Sequence, residues 1–393
     1  MWKCSNIATE TQKKEKQESF CYNRLSLRHI LGVFTLLSVF VVYNLVTSSS
    51  RLPHLFDVTM KIKANVFDAS IDNFVTDFKK WLSRNSSNSN VTFGTTKHPA
   101  QIGLDGIKVG DVNGTRPDNC TGCFEHNFKY IIYNENICKP VSTDQVIRLV
   151  IFITTIHKSS PKRDAIRQTW LTHTKNNTGD VRYAFLFGTI HDANLQEALV
   201  KENDIHHDII QEDFADAYTN LTFKTVMAFK YATVRCAHAH YVMKTDDDMF
   251  VNIANLLRVT DKYSDALHKG IGGSCALQAA PIRDRGSKWF ASVKSYPNRN
   301  YPGFCSGTGY VTSLDVARKI YKISPSIPFF HLEDVYTAIC IRKLGLKLTK
   351  INGFSIGHPK LEPCNFKNDV LVTAHQLTPD NLRHVWNTPC KKG

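Results

Sequence analysis

VIRLVIFITT, residues 146–155, is the stretch that decides the fold. Apart from Arg148 it is an unbroken apolar, largely β-branched run closing on two threonines. A run of that kind suits a strand covered on both faces, as the inner strands of a parallel sheet are. Shorter strand-like runs recur at residues 183–187, 207–210 and 241–244. Helix-like stretches fall between them, at 163–171, 194–202 and 222–235. Strands alternating with helices predict an α/β fold with a parallel sheet. Ligands of such sheets bind at the carboxyl ends of the strands, so the search for chemistry begins where these strands stop.

The strongest signal stands at the end of the fourth run. YVMKTDDDMFVN, residues 241–252, places Asp246, Asp247 and Asp248 in a row. Adjacent carboxylates repel unless water or a cation neutralises them, and after an apolar strand a bound divalent cation is the natural partner. If the strand geometry persists, Asp246 and Asp248 point the same way and share one metal. A hard cation there bridges the two phosphates of a nucleotide diphosphate and stabilises the charge growing on the leaving group. An acidic turn without a ligand is the plainer reading.

Working toward the N-terminus, residues 30–46 are apolar and carry no charge. Seventeen residues lie at the lower end of what crosses a bilayer. Lys3, Lys13, Lys14, Lys16, Arg24 and Arg28 precede them, which places the N-terminus in the cytosol. The expected organisation is a cytosolic tail at 1–29, a signal anchor at 30–46, a lumenal stem at 47–144 and a catalytic domain at 145–393. Phe67, Ile71, Phe74, Phe78 and Trp81 recur at helical spacing within the stem. Asn85, Asn90, Asn113, Asn119, Asn176 and Asn220 each open a glycosylation triplet, and all lie beyond the anchor. Nine of the 11 cysteines do too, and an oxidising lumen favours disulfides among them. Nine is odd, so at least one stays free or pairs between chains. Cys120-x-x-Cys123 lacks a second pair at zinc spacing and reads as a disulfide. The formal net charge of +14 suits an anionic membrane surface or an anionic substrate. No Lys/Arg run or RNA-binding signature accompanies it, which argues against nucleic acid.

Six segments in order resemble the β-1,3-glycosyltransferases, the family of β-1,3-galactosyl- and β-1,3-N-acetylglucosaminyltransferases and, more distantly, of Fringe. They are RDAIRQTW (163–170), EDFADAYTNLTFKT (212–225), KTDDDMFVN (244–252), PIRDRGSKW (281–289), YPGFCSGTGYVTS (301–313) and LEDVYTAIC (332–340). The resemblance implies a GT-A type sandwich, a type II anchor in the Golgi membrane, Mn2+, a UDP-sugar donor and a glycan acceptor. CSGTGY and SKW resemble the galactosyl members, which implies UDP-galactose. N-acetylglucosamine or N-acetylgalactosamine transfer is the alternative. A membrane-tethered glycan binder without catalysis is the rival class, and a homo-oligomer is open.

Each segment then acquires an expected role. Arg163 and Arg167, four apart on one helix face, offer guanidinium donors to the donor phosphate or ribose; the plain alternative is a surface pair. Asp216 and Lys224 meet the nucleotide, or Lys224 simply pairs with Asp216. Gly307 and Gly309 allow a positive φ and close backbone approach to a sugar, or form a tight turn between strands. The resemblance places the general base in Glu333–Asp334, with Asp334 preferred; Asp334 also stands where a helix N-cap would. It places His375 beside the metal as a further ligand to Asp246 and Asp248.

Overall fold

The computed structural model describes residues 117 and 120–390. The anchor at 30–46, the stem helix and the triplets at Asn85, Asn90, Asn113 and Asn119 lie outside them. Among the described residues no helix is long and apolar enough to cross a membrane.

The chain enters with β1 (Tyr130–Tyr133) and then forms β2 (Ile147–Thr154), α1 (Ser160–Gln168), β3 (Val181–Thr189), α2 (Ala193–His206), β4 (Ile209–Ala215), α3 (Leu221–Arg235) and β5 (Ala239–Asp246). A short β6 (Phe250–Val251) leads to α4 (Ile253–Lys262) and α5 (Ser264–His268). The second half holds β7 (Gly270–Ala276), β8 (Phe304–Ser313), α6 (Leu314–Ile323), α7 (Glu333–Lys343), β9 (Lys347–Lys350), α8 (Pro363–Phe366), β10 (Thr373–Ala374) and α9 (Pro379–Asn387).

Among the described residues, eight strands form one sheet in the order β1-β4-β3-β2-β5-β8-β7-β9. The four strands expected from the sequence, β4-β3-β2-β5, are parallel to one another. The sheet as a whole is mixed, because β8 joins β5 antiparallel and β1 joins β4 antiparallel. β2 is buried on both faces as its composition predicts. Val150 and Phe152 enter one apolar cluster with Val226, Met227 and Phe229 of α3. Leu149, Ile151 and Ile153 enter the other with Trp170, Leu256 and Val385. Each fully buried aliphatic side chain contributes about 1.5–3 kcal/mol, so this strand anchors both layers.

Two expectations need correction. The domain does not begin at residue 145, because β1 within the assigned stem is an edge strand of the sheet. CSGTGY is not a loop; it lies inside β8, and neither Gly307 nor Gly309 has a positive φ.

Disulfides join Cys120 to Cys123, Cys138 to Cys236, Cys275 to Cys305 and Cys364 to Cys390. Cys340 is buried and outside these pairs. The Cys138–Cys236 bond closes a span of 98 residues and ties the approach to β2 to the end of α3. Replacing both cysteines by serine should cost about 2–5 kcal/mol, because long loops gain most from closure. Denaturant unfolding of the paired variant against the unaltered chain measures it.

Candidate active site

The strand order creates the site. From β2 the chain winds outward through β3 and β4, then returns to place β5 on the other side of β2. Parallel sheets open a ligand crevice at such a reversal, outside the carboxyl ends of the two strands. Register sets which residues meet there, since Thr154 lies opposite Asp246. The Thr154 hydroxyl donates to Asp246 Oδ1, and Thr155 Oγ1 donates to Asp247 Oδ2 at 2.8 Å. Lys162 Nζ, from α1, reaches Asp247 Oδ1 at 2.8 Å.

β5 stops at Asp246 and the chain turns, so the acidic triplet does not keep strand geometry. Asp246 turns back to Lys244 Nζ, 2.7 Å away. Asp248 turns toward His375, whose Nε2 lies 3.4 Å from its Oδ2. The pairing of β6 with β10 sets that contact, because Ala374 lies opposite Phe250 and Leu377 N donates to Asp248 O. His375 Nδ1 lies 3.1 Å from the Ile356 carbonyl and must donate to it, which turns Nε2 toward the carboxylate. Burial pushes Asp248 up, but the His375 hydrogen bond and charge outweigh it and hold its carboxyl below the usual range. The Asp248 hydrogen bond in turn raises His375. Asp246, Asp248 and His375 therefore do not converge as one set, and among the described residues no three such side chains gather closely enough to hold a metal.

The donors of Asp248 and His375 nevertheless suit a divalent cation with open positions. A carboxylate oxygen and an imidazole nitrogen face each other, and the second ring nitrogen is fixed by a backbone carbonyl. That carbonyl contact is the usual way a protein orients a ligating histidine.

The other wall comes from β8 and the start of α7. β8 runs antiparallel to β5, with Thr245 opposite Gly309 and Lys244 opposite Tyr310. This brings Gly307 and the first turn of α7 against Lys244. The Gly307 carbonyl accepts from Lys244 Nζ at 2.5 Å, and Gly307 N donates to Asp334 Oδ2 at 3.3 Å. A Cβ at Gly307 would stand 2.4 Å from Glu333 Oε1, so close approach, not φ, explains this glycine.

The acidic pair divides its labour. Glu333 is buried; its Oε2 accepts from Thr225 Oγ1 at 2.9 Å and Tyr310 Oη at 3.0 Å, and its Oε1 lies 2.9 Å from Lys244 Nζ. That ion pair is close, although Oε1 lacks a well-directed hydrogen bond. Two opposite charges this close and this buried attract whatever the angle. Asp334 is half-buried, accepts from Gly307 N and Val335 N, and keeps a side open. Burial first, and the Glu333 charge second, push the Asp334 carboxyl up to about 6.

Lys244 is the residue sequence reasoning passed over. It is 2% exposed and bridges Asp246 to Glu333, coupling the two walls. Burial opposes its charge, but Asp246 and Glu333 outweigh that and keep it protonated. Its only signal in the sequence is a lone cation inside an apolar strand.

Four residues expected to meet the donor face inward. Arg163 is 1% exposed; Nε and Nη2 bind Glu202 at 2.7 and 2.5 Å, and Nη1 binds the Ile156 carbonyl at 2.8 Å. Arg167 binds Asp208 and Glu202 at 2.7–2.9 Å. They form a buried ion network and not a surface pair. Lys224 Nζ lies 2.8 Å from Asp216 Oδ1 and also donates to the Thr155 carbonyl. The pairing alternative describes Lys224, which supports the crevice floor from beneath. Asn176 is exposed, whereas Asn220 is half-buried and donates its amide to the Ala215 carbonyl at 2.8 Å.

The galactosyltransferase family model matches residues 161–352, which include Asp246–Asp248, Gly307 and Asp334. Human beta-1,3-galactosyltransferase 1 is 40% identical over 280 residues, covering 71% of this chain and 82% of that protein. Human beta-1,3-galactosyltransferase 2 is 32% identical over 380 residues, covering 91% of this chain and 88% of that protein. Among solved structures, a galactosyltransferase in complex with donor and acceptor sugar analogues is 11% identical with a TM-score of 0.34, covering 61% of this chain and 95% of that one. A likeness that slight adds nothing to the assignment.

Proposed function

The chain belongs to the β-1,3-galactosyltransferase family, and from that premise we propose that it moves galactose from UDP-galactose, with inversion, to the 3-hydroxyl of an acceptor glycan. The observation that carries the reading is Asp334: a half-buried carboxylate, raised toward neutral pH, fixed by the Gly307 amide at the edge of the switch-point crevice.

Asp334 is the general base. It takes the proton of the acceptor hydroxyl as that oxygen attacks the anomeric carbon from the face opposite UDP. One carboxylate suffices, because the diphosphate leaves without protonation, unlike the two-carboxylate arrangement of glycoside hydrolysis. Asp246, Asp247, Gly307 and Gly309 line the donor side, and Glu333 holds the base's segment in place through Lys244, Thr225 and Tyr310. Asp248 and His375 would hold a divalent cation such as Mn2+. Bound there, the cation neutralises charge on the departing diphosphate. The presence of Asp246, Asp248, Asp334 and His375 favours an enzyme over a silent glycan binder.

The wider setting belongs to the same proposal. The sheet carries a GT-A type nucleotide-sugar site, and residues 30–46 anchor a type II protein whose catalytic domain faces the Golgi lumen. Full-length chain in detergent, offered UDP-galactose, UDP-N-acetylglucosamine and UDP-N-acetylgalactosamine with and without a chelator, tests the reading. Transfer from UDP-galactose alone, abolished by the chelator, is expected. Transfer from either N-acetylhexosamine donor alone would overturn the sugar assignment, and chelator-resistant turnover would overturn the metal.

A further inference from the structure

The long connection between β7 and β8 folds back on the segment that delivers the base. Arg283 fastens it from within, donating Nη1 to the Ala291 carbonyl at 2.7 Å and Nη2 to the Tyr296 carbonyl at 2.8 Å. The Phe290 carbonyl lies 2.9 Å from His331 Nε2, and His331 stands three residues before Asp334. The residue next to Phe290 is Trp289, which is 50% exposed. Lys288 Nζ sits 4.6 Å from that ring's centroid and 6.0 Å from the centroid of Tyr218, itself 45% exposed. Tyr218 occupies the turn leading into α3, the helix whose Thr225 holds Glu333.

Two large aromatic rings flanking one ammonium group are thus left in solvent next to the segment that carries the base. The fold does not require this exposure, since both rings lie outside the two apolar clusters. Exposed aromatic surface at the rim of a polar site marks ligand contact. Thr222, four residues past Tyr218, donates its hydroxyl to the Phe330 carbonyl at 2.6 Å, which ties this turn to the segment that carries the base.

We propose that Tyr218, Lys288 and Trp289 form the platform on which the acceptor saccharide lies, presenting its hydroxyl to Asp334. This rests on the galactosyl-transfer reading and names the part of the site that selects the second substrate. A pyranose suits the platform. Its C–H-lined face packs against the electron-rich face of an indole or phenol, and its hydroxyl edge accepts from an ammonium group. The donor is served by the crevice between β2 and β5, whereas the platform is built from the β7–β8 connection and the turn before α3.

The test uses full-length chain, UDP-galactose, Mn2+ and octyl β-glycosides of N-acetylglucosamine, N-acetylgalactosamine, galactose and xylose, taking whichever accepts best. Trp289→Ala should raise the acceptor KM at least tenfold and leave the donor KM within twofold, with Trp289→Phe recovering most of the loss. Lys288→Ala should raise the acceptor KM less. UDP should still raise the thermal midpoint of Trp289→Ala, showing that it is folded. An unchanged acceptor KM in folded Trp289→Ala, with the unaltered chain transferring normally, overturns the platform alone. Absence of transfer by the unaltered chain to any of the four overturns the parent reading and the platform with it.

Discussion

Asp334→Asn lowers galactosyl transfer by roughly 10²–10⁴-fold, the usual range for removing a positioned general base. The substitution keeps size and an acceptor oxygen for the Gly307 amide, so the first turn of α7 stays in place. The loss should fall on kcat, with the acceptor KM nearly unchanged, because the residue takes a proton and does not hold the sugar. A pH profile separates the base from a structural role. The carboxyl titrates at about 6, raised by burial and by Glu333. A base works only when ionised, so log kcat should fall with slope one as pH drops through about 6. Glu333 and Lys244 flank the group, and Tyr218 and Tyr301 are further titratable neighbours. None of these substitutes for its carboxylate, so the residual activity of Asp334→Asn should lack the acidic limb. Persistence of that limb in the variant would assign it to another group.

Lys244→Met destabilises the fold by about 3–5 kcal/mol, the cost of removing one partner from a buried charge cluster. Asp246 and Glu333 would be left facing each other across a space that methionine fills without charge. For a domain of this size the thermal midpoint should fall by roughly 10 °C. Lys244 is raised in the folded state by Asp246 and Glu333, so its contribution is present throughout the range below its unfolded value and the deficit should be similar at pH 5 and pH 8. A deficit within about 0.5 kcal/mol of zero would mean that Lys244 is not the charge that reconciles the two walls.

The sequence disclosed whatever depends on local pattern. β2 is legible because Leu149–Ile153 all face packed layers. The acidic triplet is legible because it terminates an apolar strand. What stayed hidden depends on register. Lys244 looks like a break in a strand until β8 brings Gly307 and β5 meets the first turn of α7. CSGTGY read as a turn because glycine disfavours strands, yet Gly307 is small to admit Glu333. Arg163 and Arg167 looked like anion donors because their partners, Glu202 and Asp208, are some 40 residues away in sequence. β1 was missed because YIIY is four residues long and sits in a polar stretch. His375 came from family resemblance, and only the β6–β10 pairing explains how it reaches Asp248.

The most direct test of galactosyl transfer by this site is the structure of its product. The full-length chain should be incubated with UDP-galactose, Mn2+ and the best octyl glycoside, and the purified product analysed by NMR. A β-configured galactose on the acceptor's 3-hydroxyl is the predicted result. An α-configured linkage would contradict inversion at the Asp334 face, and attachment at another hydroxyl, or no galactoside at all, would contradict the assigned reaction.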